Sequence, residues 1–341
     1  MHDVVTIGST TRDAFYKVKF PTISWPKTPS GRAYVLPLGT KLEVDDIYYT
    51  IGGNAANASV TFARQGFRVA AEGKIGTDLA GDGVLERLRE EGVTTNLIAR
   101  TSEKGTAYSV LLLQDGERTI LAYHGASDTF TMRDLRLSVF RAKWWYLSLA
   151  GESYKMFMPL MQFAKKNGIA VAFNPSGYHL RRDKKGILRL LKDVAFLCVN
   201  DEEAAMLAGI PWRHESRVFK KLDALLSPGI LAVTTGSTGV TVSDGSRIYK
   251  AGIFKEKKLA DRTGAGDAFG SGFTAGLMRR CQVSGVRCHD LGKDDIRYAI
   301  RLATANATSV VEHIGATEGT LTKREFNAPR WKKLNIAIRE A

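Results

Sequence analysis

The chain has 341 residues, of which 44% are hydrophobic and 25% are charged, the profile of a soluble globular protein. No apolar run approaches the roughly 18 residues needed to cross a bilayer. The formal charge of +14 leaves nucleic-acid binding as one interpretation, but no RNP, zinc-finger or helix-turn-helix signature supports it. We therefore expect no membrane and no nucleic-acid partner.

Short apolar runs along the chain predict the strands of a buried sheet. The start, MHDVVTIGST, has no basic segment before an apolar stretch and predicts a first strand over VVTIG (4–8), not a signal peptide. Five further regions contain runs typical of buried strands: RVAAEGKIG (68–76), WWYLSLA (144–150), IAVAFNP (169–175), AFLCVN (195–200) and ILAVTTG (230–236).

Amphipathic stretches between these runs predict helices, several of which end at Gly, the usual residue after a helix C-terminus. They are NAANASVTFARQ (54–65), LAGDGVLERLREEG (79–92), YKMFMPLMQFAKKNG (154–168), DEEAAMLAG (201–209) and VFKKLDALL (218–226). The alternation of strands and helices predicts a mostly parallel sheet covered on both faces. Two basic stretches, RRDKKGILRLLK (181–192) and KREFNAPRWKKLNIAIRE (323–340), carry apolar residues at helical spacing and predict solvated helix faces.

Two early stretches break this alternation. Residues 14–50 contain four prolines, and residues 106–124 contain two apolar runs around QDGE, a hairpin signal. Together they could form a small sheet that projects from the α/β body. Without a repeat or a low-complexity linker, we expect one domain over residues 1–341, with insertions near 14–50 and 105–125 and a basic extension near 321–341.

The three cysteines, Cys198, Cys281 and Cys288, form no CxxC pair. Their odd number favours a reduced, cytoplasmic setting over a disulfide framework.

The stretch DRTGAGDAFGSGF (261–273) places an acid, Asp267, in a glycine-rich turn before a helix of small residues. The turn Gly264, Ala265 and Gly266 lets the backbone approach a ligand, and the free N–H groups of a helix N-terminus bind anions. An acid at this point could accept a proton from an attacking hydroxyl while the amides hold a phosphoryl group. The alternative is that Asp267 caps the helix and the glycines permit close packing.

Four segments in this order resemble the PfkB, or ribokinase-like, carbohydrate kinase family. DRTGAGDAFGSGFTAGL resembles its C-terminal signature, and IGGNAANASVTFARQG (51–66) with GKIGTDLAGD (73–82) resembles its N-terminal one. VNDEEAAMLAG (199–209) is similar to its NxxE segment, and VTTGSTGV (233–240) to the strand and turn near the nucleotide. The resemblance covers about residues 1 to 320 and implies a ribokinase-like three-layer α/β/α sandwich with a mostly parallel central sheet and a small β-sheet lid.

The resemblance implies a role for each matching residue. Asp267 would be the catalytic base, and the backbone of Gly264, Ala265, Gly266 and Asp267 the anion hole. The sugar would be held by residues that match the family's early acid and its GGxxxN turn, namely Asp13, Gly52, Gly53, Asn54 and Asn57. Asn54 could also act as a helix cap.

The nucleotide side is implied in the same way. Asn200 and Glu203 would organise Mg²⁺ through water, since Mg²⁺ retains much of its hydration shell, although a helix cap and an exposed acid are the alternative. The nucleotide itself would meet residues of the late turn and the late helix, namely Thr235, Gly236, Gly239 and Asn306.

Many family members bind a monovalent cation, and Asp261 and Thr263 match the first part of that site, with the rest expected in VVEHIGATEGT (310–320). The implied cofactors are therefore ATP and Mg²⁺, with K⁺ as an option. The two irregular stretches become a lid over the sugar, which in this family often forms a dimer contact.

The acceptor is left open by the sequence. The GGNAAN turn favours an unphosphorylated sugar or sugar acid. A nucleoside would need an aromatic wall, for which Phe15, Tyr108 and Tyr123 are available, and a sugar phosphate would need a basic clamp, for which Arg12 and Arg118 are available. A non-catalytic sugar-binding protein is a rival that the intact Asp267 argues against.

Overall fold

The computed structural model describes residues 2–28, 30–115, 117–137, 142–284 and 291–341. Its main sheet contains, within those ranges, nine strands in the spatial order β17 (Ile336–Glu340), β16 (Arg247–Ala251), β15 (Val240–Ser243), β14 (Ile230–Thr234), β13 (Phe196–Asn200), β12 (Ala170–Phe173), β11 (Ala142–Ser148), β1 (His2–Gly8) and β6 (Val69–Glu72). The strands from β14 to β6 are mutually parallel, whereas β15, β16 and β17 add antiparallel to one edge. The expected, mostly parallel sheet is confirmed.

Helices cover both faces of this sheet. They are α1 (Asn54–Arg64), α2 (Leu79–Glu90), α3 (Phe157–Lys166), α4 (Gly177–Leu190), α5 (Asp201–Ala208), α6 (Glu215–Leu226), α7 (Ala265–Ser284), α8 (Lys293–Val311) and α9 (Lys323–Phe326). Adjacent residues of a strand pack against the helices on opposite faces of the sheet, because side chains alternate along a strand. Val4 packs with α1, α7 and α8, and Val5 packs with α3 to α6. A continuous apolar run such as VVTIG is therefore required, and the three-layer α/β/α architecture is confirmed.

A second sheet, here called the lid sheet, forms from the two irregular stretches. Its order is β10 (Glu117–Tyr123), β9 (Tyr108–Gln114), β2 (Thr11–Lys17) and β5 (Asp46–Gly52). The pair β9 and β10 is the expected antiparallel hairpin. Two small pairs complete the strands, β3 (Thr22–Ser24) with β4 (Arg32–Tyr34) and β7 (Lys74–Gly76) with β8 (Ala99–Thr101). The predicted small lid is confirmed.

The basic C-terminal tail differs from its prediction. Only the four residues of α9 and a 3₁₀ turn over Pro329–Trp331 are helical, and β17 pairs antiparallel with β16. The physical reason is that β16 would otherwise leave its backbone N–H and C=O groups unpaired at the sheet edge. The other basic stretch is confirmed as a helix face, since α4 buries Leu180 and Ile187 and exposes Arg181 and Arg182.

The cysteines also depart in part from expectation. Cys198 is a buried free thiol, whereas Cys281 is disulfide-bonded, so the expectation of reduced cysteines is wrong at Cys281. Cys288 lies outside the described residues. Among the described helices, none combines the length and apolar character that crossing a membrane requires.

Candidate active site

The glycine turn before α7 brings backbone close to a neighbouring segment. Gly264 has φ of +78°, and a Cβ there would lie 2.5 Å from the Ala316 Cβ, so only glycine fits. The helix begins at Ala265, and the amide of Ala268 donates to the Gly264 carbonyl at 2.8 Å. The amides of Gly266 and Asp267 precede the first intrahelical donor and are therefore directed out of the helix N-terminus. This is the geometry that an anion needs.

Asp267 is the titratable side chain of this turn. The Asn57 Nδ2 donates to the Asp267 Oδ2 at 2.8 Å. Burial raises the pKa of Asp267 to about 6, and the Asn57 hydrogen bond acts in the opposite direction, because it stabilises the ionised form. The carboxyl therefore titrates near neutrality, where a general base is most effective.

The residues predicted to hold the sugar lie around Asp13 and Gly52, a region called here the acceptor side. Asp13 is 5% exposed and accepts a hydrogen bond from the Thr11 Oγ1 at 3.0 Å. Burial raises the pKa of Asp13, an effect that bonds from Thr11 and Ser109 oppose. A Cβ on Gly52 would lie 2.0 Å from the Asp13 Oδ2. The glycine is therefore what makes room for this carboxylate.

Helix α1 connects the acceptor side to Asp267. Its N-cap is Gly53, not Asn54, so the cap alternative for Asn54 is wrong. The Asn54 Nδ2 instead donates to the Ser148 Oγ at 2.7 Å, which holds it at the carboxyl end of β11. Asn57, one turn later, reaches Asp267, and its own Oδ1 is buried without a hydrogen-bond partner among the described residues.

A cleft on the other side of the GAGD turn lies between the end of β14, α7 and α8. Its volume is about 500 Å³, part of which is open to solvent, and its lining is mostly apolar. Its lining residues are Thr234, Gly236, Gly239, Val240, Ile253, Ala265, Gly266, Phe269, Thr304, Ala307 and Thr308. Thr235 shapes its rim by donating from Oγ1 to the Gly239 carbonyl at 3.1 Å. The predicted nucleotide turn and the anion hole therefore share one cleft.

Asn200 and Glu203 form a reciprocal cap at the start of α5. The Glu203 amide donates to the Asn200 Oδ1 at 2.8 Å, and the Asn200 amide donates to the Glu203 Oε2 at 2.9 Å. This is the capping alternative weighed from the sequence. Burial raises the pKa of Glu203, and the Asp267 charge acts in the same direction.

Asn306 is not brought to the cleft. It is fully buried, and its amide donates to the Ala268 carbonyl at 2.9 Å and to Thr61 at 3.3 Å, while its Oδ1 accepts from the Leu321 amide at 2.9 Å. These bonds give Asn306 a packing role, and its place near the nucleotide stays a prediction. The missed cleft residues Thr304, Ala307 and Thr308 follow helical spacing on one face, a signal that was available in the sequence.

Asp261 and Thr263 do lie together beside the turn. The Asp261 Oδ1 accepts from the Thr263 amide at 3.0 Å and from its hydroxyl at 2.8 Å, and the Oδ2 accepts from the Gly315 amide at 3.3 Å. This joins Asp261 to the 310–320 segment, where the rest of the cation site is expected. Arg118 of β10 adds a cation 3.8 Å from the Asp261 Oδ1.

Comparisons with known proteins show the family of this chain. The profile for pfkB family carbohydrate kinases matches residues 1–324. Ribokinase of Haemophilus influenzae is 28% identical over 299 residues, which cover 86% of this chain and 91% of that protein.

Two solved structures share the fold. Arabidopsis thaliana ribokinase complexed with ribose and ATP has a TM-score of 0.75 at 20% identity, with 97% of this chain and 99% of that chain covered. The nucleoside kinase of Methanocaldococcus jannaschii has a TM-score of 0.72 at 20% identity, with 97% and 98% covered. The three-layer body with its lid sheet is thus the ribokinase fold, and this chain belongs to the pfkB family of carbohydrate kinases, phosphotransferases with an alcohol group as acceptor.

Proposed function

We propose that this protein transfers the γ-phosphoryl group of ATP to a hydroxyl of a sugar or sugar acid, with Asp267 as the base. The observation that carries the proposal is the 2.8 Å hydrogen bond between Asn57 and Asp267. It joins the helix that follows the acceptor turn to the helix whose N-terminus would hold the phosphoryl group. Acceptor, base and anion hole are thereby adjacent.

Asp267 would remove the proton of the attacking hydroxyl as that oxygen bonds to the γ-phosphorus. The bond from the γ-phosphorus to the bridging oxygen of ATP breaks, and ADP leaves with that electron pair. With a pKa of about 6, Asp267 is mostly ionised at pH 7.5 and can accept the proton. The amides of Gly266 and Asp267 would stabilise the charge on the transferring group.

The acceptor would be held by Asp13, Asn54 and Asn57. Asp13 is a buried carboxylate, and the unpartnered Asn57 Oδ1 is an acceptor suited to a sugar hydroxyl. Unmet hydrogen-bonding capacity of this kind is costly unless a ligand satisfies it. The buried polar set therefore supports a polyhydroxylated acceptor.

The strand register bears on the nucleoside alternative. In the strand register Tyr108 lies opposite Arg12 on one side and Tyr123 on the other, whereas Asp13, the next residue of β2, lies opposite Ser109. Because side chains alternate along strands, these two tyrosines lie on the opposite face of the lid sheet from Asp13, and Phe15, on the Asp13 face, is fully buried. These aromatic residues do not supply the expected wall for a base.

Arg118 supports a sugar acid among the acceptors. It lies on the Asp13 face of the lid sheet and reaches the body at Asp261, 3.8 Å away. Arg12 lies on the other face, over the Tyr49 ring at 5.4 Å. Of the two cations that the sequence offers for a phosphate clamp, Arg118 is therefore the one that would meet an anionic group on the acceptor.

ATP would occupy the cleft beside Thr235, Gly236 and Gly239, as the ribokinase solved with ribose and ATP suggests by analogy. Mg²⁺ would be held by the nucleotide phosphates and, through water, by Glu203. No group of three or more His, Cys, Asp or Glu residues suited to a metal occurs within the described part of the chain, and a water-mediated ion needs none. K⁺ would lie beside Asp261 and Thr263.

A homodimer through the lid sheet is part of the proposal. Strand β10 is exposed along its whole length, and Ile120, Leu121 and Tyr123 are large exposed side chains on it. Within the described residues the outer edge of β10 pairs with no further strand, and an exposed edge with apolar side chains is a surface that proteins normally cover. Light scattering on Leu121→Lys against the unchanged protein tests this, and a monomeric unchanged protein would contradict it.

The decisive test of the function is a coupled ATP-to-ADP assay over a panel of sugars, sugar acids, sugar phosphates and nucleosides. We expect the highest kcat/KM with an unphosphorylated sugar or sugar acid. Asp267→Asn should keep ATP binding and lose turnover by about 10²–10⁴-fold. Turnover near the unchanged level would reject Asp267 as the base, and a nucleoside preference would select the alternative acceptor.

A further inference from the structure

A groove remote from the candidate active site remains unexplained. It is an open groove of about 900 Å³, part of which is open to solvent, between the end of α7, the N-terminal half of α8 and the segment before β17. The lining side chains are Arg280, Asp294, Arg297, Tyr298, Arg301, Lys332, Lys333, Leu334 and Ile336. We call it the tail groove. Of these lining residues, five are cationic and one is a carboxylate.

The charges in the tail groove are only partly compensated. Arg280 pairs with Asp295, and Arg297 is 3.4 Å from Asp294. Lys332 and Lys333 are exposed and have no ion pair within the described part of the chain. Like charges placed together in this way repel each other, and a bound anion would relieve that repulsion.

The arginines of the tail groove are held in place before any ligand binds. The Arg301 guanidinium donates to the carbonyls of Trp331 and Lys332 at 3.4 and 3.3 Å and lies 4.8 Å from the Phe326 ring centre. Side chains that are already ordered lose little conformational entropy when they bind an anion. Guanidinium groups also match phosphate oxygens in geometry.

The aromatic wall of the groove is already occupied. Arg280 and Arg301 both lie over the Tyr298 ring, at 5.7 and 5.6 Å from its centre. The ring is therefore not available to stack a nucleobase, which single-stranded nucleic acids generally require of their sites. The groove offers concentrated charge without a stacking platform.

We propose that the tail groove binds a small polyanion that carries two or more phosphate groups. Arg297 and Thr308 of the ATP cleft are 11 residues apart on α8, roughly 16 Å at about 1.5 Å per residue. The tail groove is therefore a separate site. Its position also gives a role to the basic tail, which the proposed kinase activity leaves unused.

The test is calorimetric binding of inorganic tripolyphosphate to the full chain without added nucleotide, because an ATP analogue carries the same phosphate groups and would compete for the groove. The variant Lys332→Glu with Lys333→Glu reverses the two unpaired charges. Its control, Lys192→Glu with Lys220→Glu, makes the same charge change at exposed positions elsewhere. We expect at least tenfold weaker binding in the first variant and less than threefold in the control.

Three results would overturn the proposal. They are no tripolyphosphate binding to the unchanged protein, equal losses in both variants, and tighter binding of a 20-nucleotide single strand than of tripolyphosphate. If the charge reversal prevents folding, Lys332→Gln with Lys333→Gln replaces it, and we then expect at least threefold weaker binding with an unchanged far-ultraviolet spectrum.

Discussion

Replacing Asn57 by Leu should change the pH dependence of the kinase reaction. The Asn57 Nδ2 donates to the Asp267 Oδ2 at 2.8 Å and lowers a pKa that burial raises to about 6. A hydrogen bond to a charged group contributes about 1.5–3 kcal/mol, and one pKa unit corresponds to about 1.4 kcal/mol. Loss of this donor should therefore raise the pKa of Asp267 by about one to two units.

The sign follows from the role of Asp267 as a base. Its ionised form is active, so kcat/KM should rise with pH and reach half its plateau near pH 6 in the unchanged protein. In Asn57→Leu the half-plateau should move to roughly pH 7–8. At pH 6 the variant should thus fall to about a tenth or less of its own plateau, while the unchanged protein is near one half.

The assay is kcat/KM with the best acceptor from the panel, measured from pH 5 to 9. Asn54→Leu is the matched control, since Asn54 lies on the same helix but bonds Ser148 and not Asp267. It should lower the plateau without moving the half-plateau pH. An identical half-plateau pH in the two variants would show that the Asn57 bond does not tune the base.

Three further predictions test separate parts of the structure. Gly52→Ala places a methyl 2.0 Å from the Asp13 Oδ2 and should raise the acceptor KM at least tenfold with the ATP KM unchanged; equal acceptor KM values would separate Asp13 from acceptor binding. Asn306→Leu removes three buried hydrogen bonds and should lower the free energy of unfolding by about 2–4 kcal/mol with little change in the ATP KM. A variant of unchanged stability with weakened ATP binding would instead support a role for Asn306 in nucleotide binding. Glu72 is 1% exposed, has no hydrogen-bond partner among the described residues, and has a pKa raised by burial to about 9. The stability that the protonated Glu72 contributes is full below its ordinary pKa near 4.5 and is lost as pH rises toward 9. Between pH 5 and pH 7.5, the free energy of unfolding in urea should therefore fall by about 3 kcal/mol more in the unchanged protein than in Glu72→Gln. Equal decreases in the two proteins would mean that Glu72 ionises normally.

Local sequence signals were sufficient for most of the body. The runs VVTIG and AFLCVN are mostly apolar, with Thr6 and Asn200 as polar exceptions, because neighbouring residues pack against opposite helical layers. The helix predicted for the C-terminal tail is wrong at its end, where Leu334, Ile336 and Ile338 recur at every second residue, the period of a strand. This signal is short, and pairing with the edge of β16 decided the conformation, which no local pattern reports.

In the candidate site, too, some features follow from the sequence and others only from the tertiary structure. The sequence by itself placed Asp267 at a helix start after a flexible turn and placed Asp13 after the first strand, since both depend on local periodicity and on glycine. Only the tertiary structure brought Asn57 to Asp267, turned Asn306 into the interior and sent Arg118 across to Asp261. These contacts join residues distant in the chain, and their geometry is set by how helices and sheets pack, which one-dimensional spacing does not contain.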